Sequence, residues 1–184
     1  MRIFKSKRIL VIGSCGAGKS TLSKKLNSIL SLPVIHLDAH YHKPNWQEPI
    51  KEDWERILQK LVRKPKWIMD GNYSDSFAIR IPRADTIIYL DYGSISCLYR
   101  VIKRNIKYYG TKRSDMAKGC KESFDFSFLK FVLLFNYNNK KDIYKRLKKL
   151  KKFKQVIILK SDAEVKTFLT QLRQYRVPES FSSN

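Results

Sequence analysis

Residues 13–20 read Gly-Ser-Cys-Gly-Ala-Gly-Lys-Ser, the pattern G-x-x-x-x-G-K-[ST], and nothing else in the chain restricts its fold so tightly. Such a loop needs a strand before it and a helix after it. Residues 8–12 (RILVI) supply the first, a short β-branched run of the kind buried on both faces in a parallel sheet. From Lys19 onward Leu22, Leu26, Ile29 and Leu30 recur at helical spacing, and Pro33 closes that pattern. Glycines allow backbone shapes that turn successive N–H groups inward around phosphate oxygens, and the helix start adds the positive end of its dipole. The loop is therefore expected to bind phosphate through Gly13, Ser14, Cys15, Gly16, Ala17, Gly18, Lys19, Ser20 and Thr21. Lys19 should reach the β- and γ-phosphates of ATP, with the Ser20 hydroxyl on Mg²⁺ and Thr21 helping to hold the phosphate.

The alternation of strand and helix continues. Residues 34–37, 66–69 and 86–90 read as strands followed by Asp38, Asp70 and Asp91, and residues 155–159 make a fifth. Between them, residues 53–62 carry Trp54, Ile57, Leu58 and Leu61 on one helical face, and residues 94–109 are also helical. A long apolar-aromatic helix starts near Asp125, and a last helix covers residues 164–174. This order predicts a parallel sheet covered on both faces, joined by right-handed crossovers, with ligands at the carboxyl ends of the strands.

A chain of 184 residues with 43% hydrophobic content supports one domain, here residues 1–176, with 177–184 as a frayed tail. Lys and Arg number 38 against 16 Asp and Glu, a net charge of +22 that favours anionic partners: nucleotide, nucleic acid or membrane surface. A lysine-rich solvated surface accounts for the same number. No stretch approaches the roughly 20 apolar residues of a membrane span, so a soluble cytoplasmic protein without a membrane partner is expected. Cys15, Cys97 and Cys120 are odd in number and lack a C-x-x-C pair, which reads as reduced thiols.

Beyond the loop, Asp70 ends an apolar strand at the position that orients magnesium through water, and Gly71-Asn72-Tyr73 follows where a substrate would approach. Asp38, at the end of the second strand, is a candidate to accept a proton from an acceptor hydroxyl or to bind its phosphate through metal. His36, Asp38, His40 and His42 alternate, but a strand end running into a loop need not aim them at one metal. Trp46 is either a wall of the acceptor pocket or a packing anchor. Arg100 and Arg104 share one helix face and Arg113 lies just beyond, a set of fork-shaped donors suited to a triphosphate, with a solvated surface as the plainer alternative. The greasy segment at 124–135 is expected to pack in the core. The basic run at 140–154 serves either nucleic-acid phosphates or solvent.

The order of these parts resembles the adenylate-kinase-like group of P-loop small-molecule kinases, over most of the chain to about Leu172. Four stretches are more specific: Val34-Ile35-His36-Leu37-Asp38, Trp67-Ile68-Met69-Asp70-Gly71-Asn72-Tyr73, Arg80-Ile81-Pro82-Arg83-Ala84-Asp85 and Asp115-Met116-Ala117-Lys118-Gly119-Cys120. They resemble the bacterial family named DNA topology modulation protein FlaR. The kinase resemblance implies a three-layer α/β/α P-loop fold with a five-stranded parallel sheet in the order 2-3-1-4-5. It also implies an acceptor-side insertion at residues 39–65 and a lid at 108–124. It further implies Arg100 stacked on adenine, Arg104 and Arg113 as phosphate clamps, and Asp38, Trp46, Asn72 and Arg80 on the substrate side. ATP and Mg²⁺ are the implied cofactors, with a nucleotide, nucleoside or similar metabolite as acceptor and a monomer or homodimer as the assembly. The Gly-Phe-Pro-Arg-like element of true adenylate kinases is replaced here by Gly71-Asn72-Tyr73, which argues against AMP as acceptor. The FlaR resemblance adds a second expectation, a nucleotide-regulated DNA-binding protein that modulates DNA topology, although no helix-turn-helix or zinc-finger pattern is present.

Overall fold

Five strands, β1 (Arg8–Gly13), β2 (Val34–His36), β3 (Trp67–Asp70), β4 (Thr86–Leu90) and β5 (Gln155–Leu159), pair in parallel in the order β2-β3-β1-β4-β5. They belong to a computed structural model that describes residues 5–111, 116–117, 119–120 and 124–175. The expected strand order is the observed one. The strands are connected through the helices α1 (Lys19–Leu30), α2 (Asp38–Tyr41), α3 (Lys51–Val62), α4 (Phe77–Arg80), α5 (Ser94–Tyr108) and α6 (Phe126–Leu150), and α7 (Asp162–Gln174) follows β5.

Side-chain alternation along the strands splits the apolar residues into two cores. Ile9, Val11, Ile68, Ile88 and Leu90 point to one face of the sheet and pack with α1, α7 and the buried side of α5. Leu10, Ile12, Trp67, Met69, Ile87 and Tyr89 point to the other and pack with α3 and α4. Period two with both faces apolar is the pattern of a doubly covered parallel sheet, so each strand reads as a continuous hydrophobic run. Helix α6 serves both layers: Val132 joins the first core, whereas Phe135, Ile143 and Leu147 join the second. The greasy segment is thus only partly core, since Phe126, Phe131 and Leu133 stay exposed.

The strands end together. Val11 is in register with Asp70 and Gly13 with Leu90, so the turn after β1 sits between the ends of β3 and β4. The ladder runs one residue further on each side, through Leu37 N–H to Asp70 O (3.0 Å), Gly71 N–H to Val11 O (3.2 Å) and Asp91 N–H to Leu159 O (2.9 Å). One expectation needs correcting here. Asp38 does not end the second strand; β2 stops at His36, Leu37 turns into helical φ/ψ, and Asp38 opens the short helix α2. That places its carboxylate at the first turn of a helix rather than on the sheet.

The basic run is tied down at both ends. Lys140 Nζ lies 2.9 Å from the carboxylate of Asp91, a buried group that also accepts from the Tyr144 hydroxyl (2.8 Å), and Lys154 Nζ donates to Pro82 O and Ala84 O. Burial lowers the pKa of Lys154.

Candidate active site

The phosphate-binding loop joins β1 to α1 and forms one wall of a cavity of about 670 Å³ at the carboxyl edge of the sheet. Its shape depends on glycine most clearly at Gly16, where φ is +80° and a Cβ would lie 2.3 Å from the carbonyl oxygen of Cys97 in α5. No side chain fits that approach, so the loop can rest on α5 only with glycine there. Gly18, in the left-handed region, precedes α1; no side chain caps the helix and its first turn holds no acidic residue. The unpaired N–H groups and the positive dipole end therefore face the cavity without an internal carboxylate to neutralise them, which is the donor set a phosphate requires. Lys19 Nζ lies 3.0 Å from Ser14 O, folded back over the loop, and Ser20 and Thr21 line the same cavity.

The opposite wall comes from α5 and the start of α7. Arg100, Arg104 and Tyr108 all line the cavity, at successive intervals of four on one face of α5. The Arg100 guanidinium lies 4.5 Å from the centre of the Tyr92 ring and donates to Asp162 Oδ2 at 2.8 Å, while the Tyr92 hydroxyl donates to Asp162 Oδ1 at 2.7 Å. Burial, reinforced by that bond to Asp162, pushes the Tyr92 hydroxyl up to about 12. Cation–π contact and the shared Asp162 carboxylate thus hold Arg100 and Tyr92 together on this wall. Arg113, the third expected arginine, lies outside the described residues, as does part of the expected lid at 108–124.

Asp38 also reaches the cavity, and its Oδ1 accepts the Tyr73 hydroxyl at 2.7 Å. Burial first, then the Asp38 charge, raises the Tyr73 pKa far above the tyrosine range, so this hydroxyl stays a donor. Tyr73 is strained as well as half-buried, with φ at +31°. Arg80 holds it there. The fully buried guanidinium donates to Ser76 Oγ and to the carbonyl oxygens of Gly71, Asn72 and Tyr73, gathering the turn after β3 around one cation. The expectation that Arg80 touches substrate is therefore corrected: a side chain at 0% exposure with its fork committed to the backbone has no face left for a ligand. Replacing it by methionine should cost about 3 kcal/mol, because one buried and two part-buried carbonyl groups lose their donor together. Urea unfolding of Arg80→Met measures this, and a loss under about 1 kcal/mol would mean the turn holds itself.

Asp70 is 3% exposed and accepts at Oδ2 from His36 Nδ1 (2.8 Å), its register partner on β2. The Asn72 Oδ1 is buried and accepts no hydrogen bond from the described protein groups. Desolvation first, then Lys64 and His36, lower the pKa of His40. Among the described residues no three of His, Cys, Asp and Glu converge on a metal-sized point, since His36 turns to Asp70 and the His42 ring lies edge-on between Tyr41 and Trp46. Trp46 is 38% exposed and does not line the cavity.

Sequence reasoning gave Tyr73 no separate role and did not find Tyr92, Tyr108 or Asp162. Tyr108 was within reach, being four residues beyond Arg104 on the same face. Tyr92 and Asp162 come together across 70 positions, which only the β4–β5 pairing brings about.

Neither a protein-family model nor a curated protein matches the chain in sequence. Solved structures do match in fold. The chain is similar to a shikimate kinase from Acinetobacter baumannii in complex with shikimate, at 15% identity and a TM-score of 0.56, over 95% of each chain. It is also similar to a shikimate kinase from Bacteroides thetaiotaomicron, at 16% identity and a TM-score of 0.53, over 92% of this chain and 98% of that one. At such identities the likeness is one of architecture, and the architecture is that of the P-loop kinases: a parallel sheet in the order 2-3-1-4-5 with helices on both sides.

Proposed function

We propose that the chain is a phosphotransferase that moves the γ-phosphate of MgATP to the hydroxyl of a small acceptor. The observation that carries this reading is the cavity, in which the glycine loop, the two α5 arginines and Asp38 face one another at the carboxyl edge of the sheet. A nucleotide-binding protein without chemistry would need the first two but not a carboxylate opposite Lys19. The fold match to shikimate kinases is compatible with this reading and does not name the acceptor.

In this reading the loop N–H groups and Lys19 hold the phosphate chain, and Arg100 beside Tyr92 packs the adenine. Ser20, with Asp70 acting through water, is the site for Mg²⁺, which when bound neutralises charge on the β- and γ-oxygens. The buried Asp70 carboxylate is held in place by His36. Asp38 takes the proton from the acceptor hydroxyl through Oδ2, Oδ1 being occupied by Tyr73. The acceptor oxygen bonds to the γ-phosphorus as the bond to the bridging oxygen of ADP breaks. Arg104 and Lys19 stabilise the charge on the transferring group. Asn72, with its buried side-chain oxygen, is assigned to the acceptor side, whereas Trp46, which does not line the cavity, is not. On its four sequence stretches the chain is placed with the FlaR-type members of the fold.

The test is ATP consumption by the pure protein with Mg²⁺, screened against nucleoside monophosphates, nucleosides, sugars and small hydroxy acids. One class should raise turnover well above the acceptor-free rate and yield ADP and phosphorylated acceptor in equal amounts. ATP binding with no stimulation by any class would remove the proposal.

A further inference from the structure

Helix α5 has two working faces, and only one of them meets the cavity. On the other side Ile95, Tyr99, Ile102, Ile106 and, just past the helix end, Tyr109 follow one another at intervals of 4, 3, 4 and 3. At 100° per residue these positions fall within about 80° of arc, roughly opposite Arg100 and Arg104. Ile102 is half-buried and the other four are exposed, Ile95 at 79%. Helix α6 lies antiparallel beside α5, because Asn136 donates to Tyr92 O at the beginning of α5 and Phe124 meets the Tyr109 ring at its end. It adds Phe126, Leu133 and Tyr137, the first at 84% and the last at 88% exposure, with the exposed Lys130 on the same helical face.

We propose that this surface is the interface of a twofold-symmetric homodimer centred on Ile102. Two observations select a second copy as the occupant. The first is area: at about 200 Å² of surface per large aromatic side chain, the exposed parts of these residues come to roughly 1,000 Å² per copy, against the about 800 Å² per partner of a standard stable interface. The second is self-complementarity. The stripe is nearly palindromic about Ile102, so an antiparallel α5–α5 crossing sets Ile95 against the second copy's Tyr109 and Tyr99 against its Ile106, with Ile102 meeting itself. Each large ring thus faces a smaller aliphatic side chain, as an isologous interface of helix seams requires.

The charge of the chain gives this dimer a signature. Two copies of net charge +22 repel, and Lys103 and Lys107 bring some of that repulsion near the seam. Salt screens repulsion and leaves apolar contact intact, so association must strengthen from about 0.05 to 0.5 M salt, the reverse of binding to a polyanion.

Sedimentation velocity of the full chain across that salt range is the experiment. The expected result is a monomer–dimer equilibrium whose Kd falls as salt rises, and whose Kd increases at least about tenfold in Ile102→Lys with the circular dichroism spectrum unchanged. Ile102→Cys should form a disulfide between copies on mild oxidation, above the background from Cys15, Cys97 and Cys120, whereas Glu55→Cys on the exposed side of α3 should not. A monomer under all conditions would overturn the proposal, as would a dimer indifferent to Ile102→Lys. So would a surface that binds only phosphatidylglycerol vesicles, and more weakly as salt rises.

Discussion

Lys19→Ala is expected to lower acceptor-stimulated ATP turnover by about 10²–10³-fold, the usual consequence of removing one preorganised donor from a developing oxyanion. The geometry behind the figure is local. Lys19 is the first residue of α1, half-exposed on the cavity wall, and its ammonium already lies over the loop at 3.0 Å from Ser14 O. That carbonyl can turn to water in the variant, so the loop loses a cation and little else. Stability should change by no more than about 0.5–1 kcal/mol, measured by urea unfolding, while turnover collapses. The pairing of the two measurements separates a catalytic loss from a folding one. Turnover within about twofold of the parent chain would show that the phosphates lie elsewhere, because no lysine at this position can be neutral to a triphosphate bound along the loop.

The fold was legible because its signal is redundant. The apolar runs at Ile9, Ile68 and Ile87, the loop glycines and the helical spacing after Lys19 each point to a doubly covered parallel sheet, and the observed strands differ from the expected ones by a residue or two at their ends. The loop and α5 walls of the cavity were nearly as legible, since the loop residues are contiguous and Arg100 and Arg104 share one helix face. The surroundings of Asp38 were not. Their geometry depends on Arg80, whose role as the cation inside a turn is set by burial and by three backbone carbonyls, none of which leaves a trace in the residue pattern. Tyr73 is a similar case. A tyrosine at positive φ has no sequence signature, because the surrounding structure imposes that conformation and the residue itself does not favour it. The outer stripe of α5 was hidden for another reason: an amphipathic helix shows its apolar positions in sequence but not which of two apolar faces the core will take.

Asp38→Asn should reduce kcat by about 10²–10⁴-fold and leave the KM for ATP nearly unchanged, a split that distinguishes proton acceptance from nucleotide binding. Asparagine keeps the shape and can still accept the Tyr73 hydroxyl through its side-chain oxygen, so the strained turn and the Tyr73–Asp38 contact survive in outline. Only the capacity to take a proton is lost. Tyr73→Phe supplies the control in the other direction. It removes the 2.7 Å bond and with it the fixed orientation of the carboxylate, but Asp38 remains a base, so its loss should be smaller. The sign of the Tyr73 shift excludes the opposite assignment: burial and the neighbouring carboxylate raise its pKa, so the phenol holds its proton wherever the fold survives and cannot serve as the base. If Asp38→Asn retains turnover while Tyr73→Phe loses it, the carboxylate is a structural partner of the tyrosine and the acceptor proton leaves by another route. If both variants raise the KM for the acceptor with kcat intact, the pair positions the acceptor and takes no part in the transfer.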